Sequence, residues 1–327
     1  MLKTILKLVF AGGIIVWLLR SGKLDFNLVS QSLELGYYWL AALFIIICNA
    51  CLSASRWKVL LEIKTGVKLS YVRFVKMTWI GLFFNSFLPG AVTGDFIKLL
   101  YAKDLDNRLT KTYLVTSVLM DRILGLIGLL FLVGSFSLSY YSEIITKSPQ
   151  ISKLMNINLL LFLGAIIFLI TLFLPQKTQD LFLNLSLKVP FIGSKIEMTL
   201  KQVWLIGKNK LAVLKCLGIS LTCQFLNVIC FYLLIYQFIG NAVPLGHAFT
   251  FIPLGFVVVA IPISPAGLGV GHVAFQTLFS YFSVEGGASY FNLYFLLMIF
   301  NNLFGVIPYL LSSKKHSLTE ASQFGQS

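Results

Sequence analysis

Long apolar runs separated by short basic stretches dominate the chain. Crossing a hydrocarbon core of about 30 Å takes about 20 residues of helix. Runs at Ile5–Leu19, Tyr38–Ala54, Tyr113–Tyr140, Ile157–Pro175, Leu211–Gly240 and Tyr290–Ser312 approach or exceed this length and predict six spans. Two further runs are interrupted. Met77–Leu100 breaks at Pro89 and Gly90, and Ala248–Tyr281 breaks at Pro262, Pro265, Gly267, Gly269 and Gly271. Proline cannot continue the hydrogen-bond ladder and glycine admits unusual dihedrals, so both breaks read as hairpin tips. The 12-residue arm Met77–Leu88 reaches only about 18 Å at 1.5 Å per residue, roughly halfway across a bilayer.

The basic residues support turning back at these breaks. If both interrupted runs return to the side they left, 21 of the 26 Lys and Arg fall on one side and four on the other, with Arg122 inside a span. A full crossing by Met77–Leu88 would instead put the basic stretches 55–76 and 176–215 on opposite sides, against the positive-inside rule. The expectation is therefore an all-α polytopic membrane protein with six full spans, two re-entrant hairpins and cytoplasmic N- and C-termini. The halves 38–140 and 211–312, joined by 141–210, form an inverted repeat in this reading. The helix after each break begins 24 residues beyond Pro89 and 25 beyond Pro265. Residues 1–312 make one transmembrane domain, and the polar tail 313–327 is expected to be disordered. Loop 176–210 has the periodicity of one or two amphipathic surface helices.

Composition agrees with this picture. Of 327 residues, 57% are hydrophobic and 12% charged, with a mean hydropathy of +0.87; soluble domains carry about 25% charged residues. The net charge of +14 sits in short loops, which points to membrane sidedness and anionic lipid, not nucleic acid. The N-terminal run lacks a small-residue cleavage pattern and reads as a retained helix. The five cysteines lie in apolar runs without metal-ligand spacing; Cys216, Cys223 and Cys230 recur every seven residues and mark a helix face suited to close packing.

Candidate chemistry collects at the breaks and on the next helix. After the first tip, Thr93 or Gly94 caps a short helix whose N–H groups could face an anion. Asp95 on that helix could bind a cation, carry a proton or pair with Lys98; alternatively it is a structural first-turn acid. Asp121 and Arg122 lie within an apolar span, where each charge costs about 2.5–3.5 kcal/mol at the helix centre. They point about 100° apart, so each needs a partner elsewhere. Arg122 would take Asp95 or a lipid phosphate, or belong to a structural ion pair. The second break supplies backbone and His272, a titratable or simply packed histidine. Asn301, Asn302, Gln224 and Asn227 either bond across helices or line a polar path. Asp104 and Asp106 superficially resemble a metal-binding pair in what reads as a solvated loop. No nucleotide-hydrolysis loop, nucleophile arrangement or metal-ligand cluster is present, and no cofactor is expected.

The two breaks together resemble the flippase-like family named for the transmembrane region of lysylphosphatidylglycerol synthase. The first motif reads Asn85, Pro89, Gly90, Thr93, Gly94, Asp95, Lys98, and the second reads Ser264, Pro265, Ala266, Gly267, Leu268, Gly269, Val270, Gly271, His272. The arginine in the helix after the first hairpin corresponds to Arg122. Lys98 stands where the family pattern has arginine, Thr93 replaces a glycine, and Gly271-His272 replace an Arg-Glu pair. The lysine keeps the charge but loses bidentate geometry. The resemblance implies an inner-membrane, multi-pass protein that moves a phospholipid or lipid-linked sugar between leaflets. Asn85, Asp95, Lys98, Asp121, Arg122, His272 and Asn301 would form the substrate site, while Pro89, Gly90, Gly94, Pro265, Gly267 and Gly269 shape the hairpins. The partners would be membrane lipids, either anionic phospholipid or polyprenyl-linked sugar, and a separately encoded synthase or glycosyltransferase. Some members carry a soluble lysine-transferring domain, absent from these residues, so aminoacyl transfer by this chain alone is not expected. The alternatives are a membrane-embedded glycosyl- or aminoacyltransferase and a subunit that recruits a synthase.

Overall fold

A computed structural model describes residues 34, 36–87, 93–146, 149–190, 192–240, 242–260 and 270–312. The expected span Ile5–Leu19, the tip residues Pro89, Gly90, Pro265, Gly267 and Gly269, and the tail 313–327 lie outside the described residues. All elements among the described residues are helices. In chain order they are α1 (Tyr37–Thr65), α2 (Tyr71–Phe87), α3 (Thr93–Lys103), α4 (Lys111–Ser139), α5 (Tyr141–Ile144), α6 (Pro149–Leu172) and α7 (Gln176–Leu187). There follow α8 (Gly193–Lys208), α9 (Lys210–Ile239), α10 (Leu245–Ala260), α11 (Val270–Ser280), α12 (Gly287–Leu303) and α13 (Val306–Leu311). Five stretches among the described residues are long and apolar enough to cross a membrane: 37–65, 111–139, 149–172, 210–236 and 287–311.

The two halves repeat in element length. Helices α1 to α4 have 29, 17, 11 and 29 residues; α9 to α11 have 30, 16 and 11, and the stretch 287–311 closes the second set with 25. Helices α1 and α9 pack antiparallel along a seam with a seven-residue repeat. Cys216, Cys223 and Cys230 direct their thiols at the carbonyl oxygens of Arg56, Asn49 and Ala42, at 3.7, 4.0 and 3.4 Å. The small side chains let the two backbones approach, as the spacing of the cysteines predicts.

The first pair of arms, α2 and α3, packs tightly. A Cβ added to Gly94 would overlap the carbonyl oxygen of Gly81, so this contact admits only glycine. The Asn85 side-chain oxygen accepts a 2.8 Å hydrogen bond from the Gly94 N–H. Both outer ends of the pair line one groove, with Arg73 and Lys76 facing Tyr101 and Asp104. The second pair, α10 and α11, packs through Gly255 against Phe275. Its outer ends meet the opposite end of α4. His247 contacts Glu143 at 2.9 Å, and Tyr281 and Phe282 pack on the Ile144, Ile151 and Met155 cluster. The two pairs therefore start and finish at opposite ends of the bundle.

Three expectations about element boundaries change. Helix α1 continues eleven residues beyond Ala54, because Trp57, Leu60 and Leu61 extend the buried stripe at helical spacing. Arg56, counted with a basic loop, is thereby buried inside the bundle. Helix α2 begins at Tyr71 and has 17 residues, not 12, which lengthens it to about 25 Å. The final helix is interrupted near Gly305, where an added Cβ would overlap the Trp79 carbonyl. As its periodicity allows, loop 176–210 forms two surface helices, α7 and α8, and Lys64 of α1 lies beside Lys201 and Lys208 there. The basic stretches after α1 and before α9 thus share one end of the bundle.

Candidate functional site

The site is assembled on α3 and α4, with walls from α9, α10 and α12. Helix α3 already begins at Thr93, so Thr93 and Gly94, expected as a cap before Asp95, share its first turn with Asp95. Arg122 of α4 reaches across to this carboxylate. Its Nε and Nη2 lie 2.7 and 2.5 Å from Asp95 Oδ2. Lys98, one turn along α3, sits 3.4 Å from Asp95 Oδ1. The Lys98 ammonium also lies 4.5 Å from the centre of the Trp57 ring, a cation–π contact that holds the charge in an apolar setting. Trp57 is itself fixed by a 3.1 Å bond from Nε1 to Ser117 Oγ.

The neighbouring acid turns the other way. Asp121 Oδ1 accepts from Arg56 Nε at 2.7 Å, and Arg56 Nη1 donates to Ser220 Oγ at 3.0 Å. Both members of this pair are buried. Asp121 and Arg122 therefore take separate partners, as their angular separation requires. Arg56, Trp57 and Ser220 are the members that sequence reasoning missed. The cue was the continued spacing Ala54, Trp57, Leu60, Leu61 beyond the obvious apolar run.

Arg122 opens onto a cavity of about 460 Å³ between α4, α9, α10 and α12. Its side chain is 42% exposed, against 8% for Asp95. Gln224, Asn227 and Tyr294 supply neutral polar groups to the walls, and Phe256, Phe291 and Met298 supply apolar surface. The amides are braced: Gln224 Nε2 donates to the Gly125 carbonyl at 3.1 Å, and Asn49 Nδ2 donates to Asn227 Oδ1 at 2.5 Å. The charged groups Arg56, Lys98 and Arg122 outnumber Asp95 and Asp121 by one positive charge. Such a volume matches pockets that enclose small ligands, about 300–1,000 Å³. Its chemistry fits an anionic group at Arg122 with uncharged, hydrogen-bonding and apolar parts beyond it.

The remaining candidates stand at different distances from this cavity. His272, in the first turn of α11, packs edge-on at 5.0 Å from Phe291, one of the cavity walls. Asn85 and Gly94 join α2 to α3 and do not line the cavity described. Asn301 bonds to Asn302 at 3.0 Å, and Asn302 donates to Ser86 at 2.7 Å, which ties α12 to α2. Asp106 is held by Arg108 through bonds of 2.9 and 2.7 Å, which pull its carboxyl down to about 2. No group of three or more potential metal ligands occurs among the described residues.

Over residues 4–305 the chain matches the family described as the lysylphosphatidylglycerol synthase TM region. A UPF0104 membrane protein of Pyrococcus horikoshii, PH1989, is 25% identical over 126 residues, which span 37% of this chain and 37% of that protein. No solved structure matches. The family match takes in both interrupted apolar regions and the whole charged cluster, so the chain belongs to the lysylphosphatidylglycerol synthase TM region family.

Proposed function

We propose that the protein moves a phospholipid or a lipid-linked sugar between membrane leaflets, with the head group handled at Asp95, Lys98 and Arg122. One observation carries this reading: Arg122 is tethered by Asp95 yet faces a cavity of about 460 Å³ whose walls are otherwise neutral or apolar. An arginine at membrane depth is costly unless it is paired or faces a polar path, and Arg122 does both. Membership of the family supports a lipid-translocating role.

The repeated helix lengths and the antiparallel α1–α9 seam support an inverted repeat. Both pairs of arms would then be re-entrant, entering from opposite faces and meeting near the midplane, where transporters of this kind bind their cargo. Lipid would pass its phosphate to Arg122 and its uncharged head-group atoms to Gln224, Asn227 and Tyr294, while its chains stay in the bilayer.

The test is reconstitution into liposomes with a fluorescent anionic phospholipid or a labelled lipid-linked sugar. Protein-dependent exchange between leaflets, measured by access of a membrane-impermeant quencher, is the expected outcome. Both lipids remaining in their original leaflet would overturn the reading. Turnover of lipid with a soluble donor would favour a transferase instead.

A further inference from the structure

We propose that a second lipid site lies at the basic end of the bundle, in the groove between the start of α2, the end of α3 and α13. It would bind the head group of an anionic phospholipid before that lipid reaches Arg122. The groove has a volume of about 520 Å³. Its lining grades from charged to apolar along α2. Arg73 and Lys76, both exposed, stand one turn apart at the outer end, and Met77 and Ile80 follow on the inner side. From Arg73 to Ile80 is seven residues, about 10 Å of helix. Leu105, Pro308 and Leu311 complete the apolar wall, and Leu311 is 78% exposed at the rim.

This gradation is that of a phospholipid at the membrane surface. A phosphate fits between two cations, while the glycerol and upper acyl carbons cover Leu105, Pro308 and Leu311 above a buried floor of Met77 and Ile80. A water-soluble anion would leave the apolar wall uncovered. Asp104 also lines the groove, so the lining carries one net positive charge. That balance favours a lipid with one net negative charge over a zwitterionic one. Each lysine or arginine at a membrane surface strengthens the hold on anionic lipid about fivefold.

The groove also connects to the inner site through α3. Lys98 and Tyr101, three residues apart, share a face of α3, and Leu105 follows in the turn just past its end. Tyr101 and Leu105 line the groove, and Lys98 lies 3.4 Å from Asp95. Asp95 and Tyr101 are six residues apart, about 9 Å along the helix. In the loading role a head group leaving Arg73 and Lys76 would move along α3 toward Asp95 and Arg122. The loading role rests on the transport reading above; the binding site does not.

The binding test uses native mass spectrometry of the protein in mixed micelles with phosphatidylglycerol or phosphatidylcholine of identical chains. The wild type should retain phosphatidylglycerol preferentially. Arg73→Gln with Lys76→Gln should lower that retention about thirtyfold, whereas Arg73→Lys with Lys76→Arg should preserve it. Leu311→Asp, which makes the exposed apolar rim polar and leaves both cations, should also displace lipid. Equal retention of the two lipids, or full retention by the double glutamine variant, would overturn the site. Both glutamine positions are exposed, so that variant keeps its fold. In oriented liposomes the same variant should slow exchange that starts from the leaflet at the basic end. If no form of the protein exchanges lipid, the transport reading fails, while the retention result still decides the binding site.

Discussion

Arg122 and Asp95, 27 residues apart on adjoining helices, meet through Nε and Nη2 on a single carboxylate oxygen at 2.7 and 2.5 Å. Lys98 occupies the other oxygen at 3.4 Å. Asp95 therefore acts as an anchor that aims one cation into the cavity. Charge-assisted hydrogen bonds contribute about 1.5–3 kcal/mol. Asp95→Asn should release the guanidinium and lower transport more than it lowers melting temperature. A double-mutant cycle of Asp95→Asn and Arg122→Gln should give a coupling within that range. The cycle is read from thermal unfolding in detergent.

The Arg56–Asp121 pair predicts a different pattern, because both members are buried and neither lines the cavity. Removing one charge leaves the other stranded, at a cost of about 3–5 kcal/mol. Asp121→Asn and Arg56→Met should each cause a large fall in thermal stability. Replacing both with apolar residues of similar volume should recover much of it. If Asp121→Asn melts like the wild type, the pair is not a structural clamp.

Close approach of α2 and α3 depends on Gly94. A Cβ there would overlap the Gly81 carbonyl, whereas a Cβ on Gly81 would lie 3.3 Å from its nearest neighbours. Gly94→Ala should destabilise by about 1–3 kcal/mol, as overpacking does, and Gly81→Ala by less. The order of the two melting temperatures is the measurement.

The heptad seam makes a prediction about size. Cys223 is buried beneath the Asn49 carbonyl. Cys223→Ala keeps the helices close and should shift stability by less than about 1.5 kcal/mol, while Cys223→Leu should cost about 1–3 kcal/mol. Thermal unfolding of the two variants checks this, and an equal effect would argue against close backbone packing.

The amide wall concerns selectivity. Gln224→Leu and Asn227→Leu remove hydrogen-bonding groups from the cavity and leave Arg122 in place. Each should lower exchange of a hydroxyl-rich head group about tenfold, the usual effect of an unpaired polar partner. Exchange of an anionic lipid without such hydroxyls should change little. Competition between the two labelled lipids in one liposome population gives the ratio directly.

Much of the architecture was legible from the chain. The positions of the long apolar helices among the described residues and the cysteine face follow from apolar periodicity, which local sequence carries well. The meeting of Asp95 with Arg122 was among the pairings expected for two charges at membrane depth. The partner of Asp121 was not, because Arg56 follows a Ser-Ala-Ser stretch that resembles the end of a span. The spacing Ala54, Trp57, Leu60, Leu61 carries the helix past it, but its bond to Ser220 of α9, 164 residues away, leaves no local trace. Likewise, Asn85 reads as a polar group for substrate, yet its oxygen serves the Gly94 N–H. The Arg73–Lys76 groove was invisible for a related reason: its third wall is α13, more than 200 residues further along the chain.

The central claim is that Arg122 handles the head group, and the most direct measurement is the initial rate of leaflet exchange of labelled phosphatidylglycerol. Wild type and Arg122→Gln should be compared in liposomes at equal protein density, with matched melting temperatures confirming the fold. The account predicts a fall of about tenfold or more for the variant, with partial recovery in Arg122→Lys. Exchange by Arg122→Gln at the wild-type rate would contradict it.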